Sequence, residues 1–104
     1  MTRHDIGTLG DFESGAARQL KVGGRLLVLV RIGDDVYVLD DRCSHEDFSL
    51  AEGEVNVDNC EIECARHGAM FRLRDGEPMS LPATRPVDHY EVTDNAGRLE
   101  VEVP

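Results

Sequence analysis

Two short stretches carry the residues of this chain that could do chemistry: Cys43-Ser44-His45, and Cys64-Ala65-Arg66-His67-Gly68. Thiolate and imidazole are the side chains that best bind soft and borderline transition metals. A Cys-x-His half and a Cys-x-x-His half together offer two sulfurs and two nitrogens, a complete ligand set. Such a set suits a structural zinc ion as well as other metal centres. Scattered cysteines and histidines can also be plain packing residues. A catalytic Cys–His nucleophile pair explains the pattern less well, because a hydrolase has no need of the doubled spacing.

The elements that must position these residues are short strands. Ala17 to Val22, the pair Gly23-Gly24 and Arg25 to Ile32 read as a tight hairpin. Gly33-Asp34-Asp35 turns the chain into Val36 to Asp40. Val55 to Val57, the turn Asp58-Asn59 and Cys60 to Cys64 form another hairpin, and Met70 to Leu73 runs into a turn at Asp75-Gly76. Val87 to Thr93, a turn over Asp94-Asn95-Ala96-Gly97 and the alternating run Arg98 to Val103 close the chain. A helical turn is expected only near Gly10 to Ser14. Many short strands joined by polar turns predict an all-β fold, an antiparallel sandwich or barrel. The two ligand stretches fall between Asp40 and Gly76, on loops held by a rigid base. Gly53 and Gly68 are where the backbone needs a positive φ or a close approach to the bound metal group. Pro82 and Pro86 read as rigid extended punctuation.

The remaining cysteine and histidines carry less. Cys60 alternates with Ile62 and Cys64 and is expected on the same strand face as a buried thiol. His89 reads as exposed, and His4 lies in a start with little signal.

At 104 residues the chain is expected to be a single domain, 1–104, with a metal-binding part over about 41–76. Its longest apolar run, Leu26 to Val30, is far short of a membrane span, and its first residues lack the apolar stretch of a signal peptide. A protein that is cytoplasmic, off the membrane and monomeric is therefore expected. Acidic residues number 21 against 11 basic, a net charge of −10, which disfavours nucleic-acid binding. The excess serves solubility, steering towards a basic docking face, or both.

The text around the ligands carries a resemblance. His45-Glu46-Asp47-Phe48-Ser49-Leu50-Ala51-Glu52-Gly53 and Ile62-Glu63-Cys64-Ala65-Arg66-His67-Gly68-Ala69-Met70-Phe71 resemble the two cluster loops of Rieske ferredoxins. The resemblance extends over essentially the whole chain and is most specific from Cys43 to Phe71. It implies a small two-loop subdomain on a larger β base, and one [2Fe–2S] cluster. In that family cysteines hold one iron and histidines the other. By resemblance Cys43 and Cys64 match the thiolates on the inner iron, and His45 and His67 the imidazoles on the outer one.

Two departures narrow the resemblance. Rieske proteins of respiratory cytochrome bc complexes carry a further cysteine in each loop, forming a disulfide; Phe48 and Arg66 stand at those positions here. Those proteins also carry a Ser and a Tyr that donate hydrogen bonds to cluster sulfur, where this chain has Ala69 and Phe71. The resemblance therefore implies a low-potential ferredoxin. Such a chain has no catalytic residues of its own. It passes electrons from a flavin-dependent NAD(P)H reductase to a terminal non-haem iron oxygenase, docking through a tip around His45, Phe48, Ala65 and His67. Two other readings remain at this point: the Rieske-like small subunit of a nitrite-type reductase, and a zinc-stabilised interaction module without redox function.

Overall fold

The computed structural model describes residues 2–43, 48–65, 68–81 and 85–103. Its strands are β1 (Thr2–Gly7), β2 (Ala17–Val22), β3 (Arg25–Ile32), β4 (Asp35–Asp40), β5 (Val55–Asn56), β6 (Glu61–Glu63), β7 (Met70–Arg72), β8 (His89–Tyr90), β9 (Val92–Asn95) and β10 (Arg98–Val103). All pair antiparallel, in three sheets ordered β1-β10-β9, β2-β3-β4-β8 and β5-β6-β7. Short 3-10 turns at Leu9–Asp11 and Leu50–Glu52 are the helical pieces among the described residues. The all-β expectation holds.

The apolar run in β3 is continuous because that strand is covered on both faces. Leu27 and Leu29 pack with Val38 and with Leu99, Val101 and Val103 of β10. Val28 and Val30, on the opposite face, pack with Leu39, Leu50, Ile62, Phe71 and the two cysteines Cys43 and Cys64. The four-stranded sheet is thus a middle layer. One side rests on the terminal sheet, and the other carries the part of the chain that holds the ligand stretches. In β10, by contrast, Leu99, Val101 and Val103 are buried while Arg98 is exposed and Glu100 and Glu102 are half-buried, the alternation of a strand with one covered face.

The hairpin β2–β3 pairs Val22 with Arg25 across Gly23-Gly24, as expected. The structure departs from the sequence reading in three places. First, β1 is a full six-residue strand although its sequence, Thr-Arg-His-Asp-Ile-Gly, shows no strand alternation; it pairs with β10, and Asp5 takes a two-pronged contact from Arg98 at 2.8 and 3.0 Å. Second, the stretch Val87 to Thr93 is not one strand. The chain changes sheets at Glu91, so β8 pairs with β4 while β9 pairs with β10. Third, the first helical turn falls at Leu9–Asp11, slightly ahead of the expected Gly10 to Ser14. Pro82 lies outside the described residues; Pro86 is exposed.

Candidate metal centre

Backbone hydrogen bonds close an arm of the chain at the foot of each ligand stretch. The first arm leaves β4. Leu50 N–H donates to the Asp41 carbonyl at 2.6 Å, Arg42 and Ser49 form an antiparallel bridge, and Cys43 N–H donates to the Phe48 carbonyl at 3.0 Å. The second arm joins β6 to β7. There Cys64 N–H donates to the Ala69 carbonyl at 2.7 Å, and Gly68 N–H to the Cys64 carbonyl at 2.8 Å. In both arms the cysteine amide reaches the carbonyl of the residue five positions on, so the two cysteines occupy equivalent places. Gly68 closes the second arm with φ +75°, a conformation that a side chain disfavours.

The two thiols are brought together in the interior. Cys43 is 2% exposed and Cys64 1%, and both belong to the apolar cluster that contains Leu50, Ala69 and Phe71. Neither is in a disulfide. His45 and His67 lie outside the described residues, as do Ser44, Glu46, Asp47 and Arg66. Further along the arms, Phe48 is half-buried, whereas Ala65 and Gly68 are exposed. The second arm therefore runs from a buried foot at Cys64 to exposed residues at Ala65 and Gly68. Two unbridged thiols in one apolar cluster fit an iron–sulfur centre through the chemistry of their donor atoms, since soft thiolates favour such clusters.

Cys60 is not where the alternation put it. It precedes β6 in a turn, with φ +55°, so it leaves the strand face shared by Ile62 and Cys64. It is half-buried and lies beside Tyr37 of β4. Burial first, and then the Cys60 sulfur, push the Tyr37 hydroxyl above its usual pKa. His89 is exposed, as expected.

The distance between the arms is set by backbone contact. The 3-10 turn Leu50–Glu52 carries the chain out of the first arm, and Gly53 N–H donates to the Leu50 carbonyl at 3.0 Å. Gly53 then packs against the Glu63 carbonyl, one residue before Cys64, and Glu63 N–H donates to the Glu54 carbonyl at 2.9 Å. The expectation at Gly53, a positive φ or a close approach to the bound metal group, needs correction: the approach is to protein backbone. It is made to the second arm's own backbone, with an ordinary φ of −85°.

Two adjacent carboxylates at the base of the first arm escaped the sequence reading. Asp40 accepts the Tyr90 hydroxyl at 2.7 Å, joining β4 to β8. Burial, followed by this hydrogen bond and the Asp40 charge, pushes the Tyr90 pKa up to about 12. Asp41 points elsewhere: it is 3% exposed and accepts bonds from Gln19, Ser49 and Ala51. Their only sequence signal is a pair of acidic residues ending an apolar strand, which also describes an ordinary turn.

Comparison with known proteins places these features in a family. Residues 2–91 match the Rieske [2Fe-2S] domain family. The 3-phenylpropionate/cinnamic acid dioxygenase ferredoxin subunit of Shigella flexneri serotype 5b (strain 8401) is 35% identical over 79 residues, 76% of this chain and 74% of that protein. The ferredoxin of carbazole 1,9a-dioxygenase from Nocardioides aromaticivorans IC177 superposes with a TM-score of 0.93 at 33% identity, over 97% of both chains. A chain in a complex of reduced oxygenase and oxidized ferredoxin in carbazole 1,9a-dioxygenase matches at a TM-score of 0.86 and 34% identity, covering 95% of this chain and all of that one. The chain belongs to the Rieske [2Fe-2S] domain family, and its cofactor is one [2Fe–2S] cluster of that type. The zinc reading falls with that assignment.

Proposed function

We propose that this chain is a soluble, cytoplasmic, monomeric one-electron carrier formed by a single Rieske domain, with the cluster-binding part over about 41–76. Cys43 and Cys64 hold one iron as thiolates, and His45 and His67 hold the other through one ring nitrogen each. The cluster supplies a site that takes up and releases one electron at a time. The observation that carries this reading is the pair of equivalent arms: two buried cysteines at their feet and an exposed end at Ala65 and Gly68. Buried feet exclude water from the thiolates, while an exposed end lets a partner approach closely. Ala69 and Phe71 are fully buried beside the cysteines and have no side-chain donor to offer.

Electrons arrive from a flavin-dependent NAD(P)H reductase and leave to a terminal non-haem iron oxygenase. The relatives support this direction, being named as ferredoxin subunits of dioxygenases. The similar ferredoxins are named for dioxygenases of 3-phenylpropionate/cinnamic acid, anthranilate and carbazole, which supports an aromatic substrate for the oxygenase downstream. The same names favour this reading over a nitrite-type reductase subunit. The purified chain should be reddish-brown, contain two irons and two acid-labile sulfides, and be reduced by NADH through a flavoprotein reductase of such a system. The reduced chain should then drive a Rieske-type oxygenase. A colourless chain, or one that carries iron yet exchanges electrons with neither partner, refutes the proposal.

A further inference from the structure

We propose that Asp41 is a positioning residue for the cluster, a buried carboxylate that ties the first ligand arm to the base sheet and, by its charge, holds the potential down. The inference rests on the electron-carrier reading above. Asp41 is the only buried polar or charged residue among the described residues. Burying a carboxylate is costly unless its oxygens are well supplied with donors. Here they are. Oδ2 accepts Gln19 Nε2 at 2.5 Å and Ser49 Oγ at 2.6 Å, and Oδ1 accepts Ala51 N–H at 2.9 Å. Gln19 Nε2 also lies 3.4 Å from Ser49 Oγ. The Asp41 backbone adds two bonds, from its N–H to the Leu26 carbonyl at 3.1 Å and from Leu50 N–H to its own carbonyl at 2.6 Å.

These contacts link three parts of the molecule. Gln19 belongs to β2 and Leu26 to β3, both in the base sheet, while Ser49, Leu50 and Ala51 form the returning side of the arm. Cys43 lies on the outgoing side, its N–H bonded across to the Phe48 carbonyl. One carboxylate therefore fixes the outgoing and returning strands of the arm to each other and to the base. Its three side-chain partners among the described residues are neutral groups, so these bonds satisfy the carboxylate's lone pairs without cancelling its charge. Reduction adds negative charge to the cluster. A fixed negative charge close by, in an interior where screening is weak, opposes that step.

The test compares Asp41→Asn, Asp41→Ala and Gln19→Met in the full chain. Iron and sulfide content of the wild type is read first, because a wild type without the cluster would refute the carrier reading rather than this inference. Asn has the shape of Asp without the charge, and Gln19 can turn its amide to meet it. Asp41→Asn should keep the cluster and raise the midpoint so that the reduced-to-oxidised ratio at fixed potential grows about tenfold, roughly 59 mV. Hydrogen exchange over residues 41–52 should stay near wild type in Asp41→Asn and accelerate at least tenfold in Asp41→Ala, which should also lose most of its cluster. Gln19 is exposed on β2, so Gln19→Met leaves the fold intact and removes one donor. It should accelerate exchange in the arm severalfold while the β2–β3 hairpin stays protected. An Asp41→Asn midpoint that is unchanged or lower overturns the charge effect. Wild-type exchange of the arm in Asp41→Ala, or in Gln19→Met if the Asp41 variants do not fold, overturns the positioning role.

Discussion

Gly53 lies in contact with the Glu63 carbonyl: a Cβ on Gly53 would stand 1.5 Å from that oxygen and 2.8 Å from its carbon. No side chain fits there, and the obstacle is backbone, which cannot swing aside as a flexible side chain would. Because Gly53 follows the first arm and Glu63 immediately precedes Cys64, this contact fixes how closely the two ligand arms approach. Gly53→Ala should push them apart, costing at least the ~1–3 kcal/mol of an overpacked interior, and should lower iron content as well. Gly10 has nothing within 4 Å, and Gly10→Ala is the control, expected within ±0.5 kcal/mol of wild type. Urea midpoints and iron content of both variants give the answer; a Gly53→Ala protein with wild-type values for both would contradict the account.

The cysteines should separate by position. Cys43→Ser and Cys64→Ser should lose the visible spectrum, because each removes a buried thiol at the foot of an arm. Cys60→Ala should keep it, since Cys60 sits in a turn beside Tyr37, outside the apolar cluster that holds the other two. Iron and sulfide per chain decide the matter. Loss of the cluster in Cys60→Ala with retention in Cys43→Ser would reverse the assignment.

Ala69 and Phe71 are fully buried in the same apolar cluster as Cys43 and Cys64. A hydroxyl placed there and reaching a cluster sulfur would favour the more negative, reduced state. A hydrogen bond to a charged group contributes ~1.5–3 kcal/mol, and about 1.4 kcal/mol corresponds to roughly 59 mV for one electron. Only the difference between redox states counts, so Ala69→Ser should raise the midpoint by several tens of mV, at most ~130 mV. Phe71→Tyr should act in the same direction. The wild type, lacking both donors, is expected near the low end of the Rieske range, roughly −150 mV. Protein-film voltammetry measures all three; a downward shift in either variant would sink this explanation of the low potential.

Tyr90 should make the fold sensitive to alkali. Its folded pKa, pushed up to about 12, exceeds the ordinary tyrosine value of about 10. Above pH ~10 the unfolded chain releases this proton first. The stabilisation from neutral Tyr90 is thus complete below pH ~10 and is lost as pH rises towards 12. Tyr90→Phe should cost about 1 kcal/mol at neutral pH and lose less stability than wild type between pH 10 and 12. Tyr37 is also raised but is present in both proteins, so the difference between their denaturation curves isolates Tyr90. Parallel curves across that range would exclude the Tyr90–Asp40 bond as the cause.

The net charge of −10 should appear in association kinetics. Reduction by the partner flavoprotein is expected to slow as salt is raised from about 0.01 to 0.5 M, because the Debye length shrinks several-fold over that range. A rate indifferent to ionic strength would leave the acidity to solubility alone. Stopped-flow mixing at fixed concentration is sufficient.

What the sequence determined by itself was local. Cys43, His45, Cys64 and His67 announce the ligand chemistry by residue type and spacing. Hairpins such as Ala17 to Ile32 announce themselves through alternation and turn residues, since neighbours in the chain become neighbours in the sheet. Tertiary structure decided whatever depends on a partner distant in sequence. Thr2–Gly7 becomes a strand because β10 offers it an edge and Arg98 meets Asp5, not because of its own pattern. The stretch around Glu91 divides because two different sheets claim its two ends. Cys60 looked like a third inward-facing residue until a positive φ turned it out of register, a backbone choice that alternation cannot reveal. Asp40 reads in sequence only as the end of a strand and Asp41 carries no signal of its own; tertiary contact made one a partner for Tyr90 and the other a fixture for the first arm. Side-chain periodicity records which face is wet, but the partner of a buried polar group is chosen only when distant strands come together.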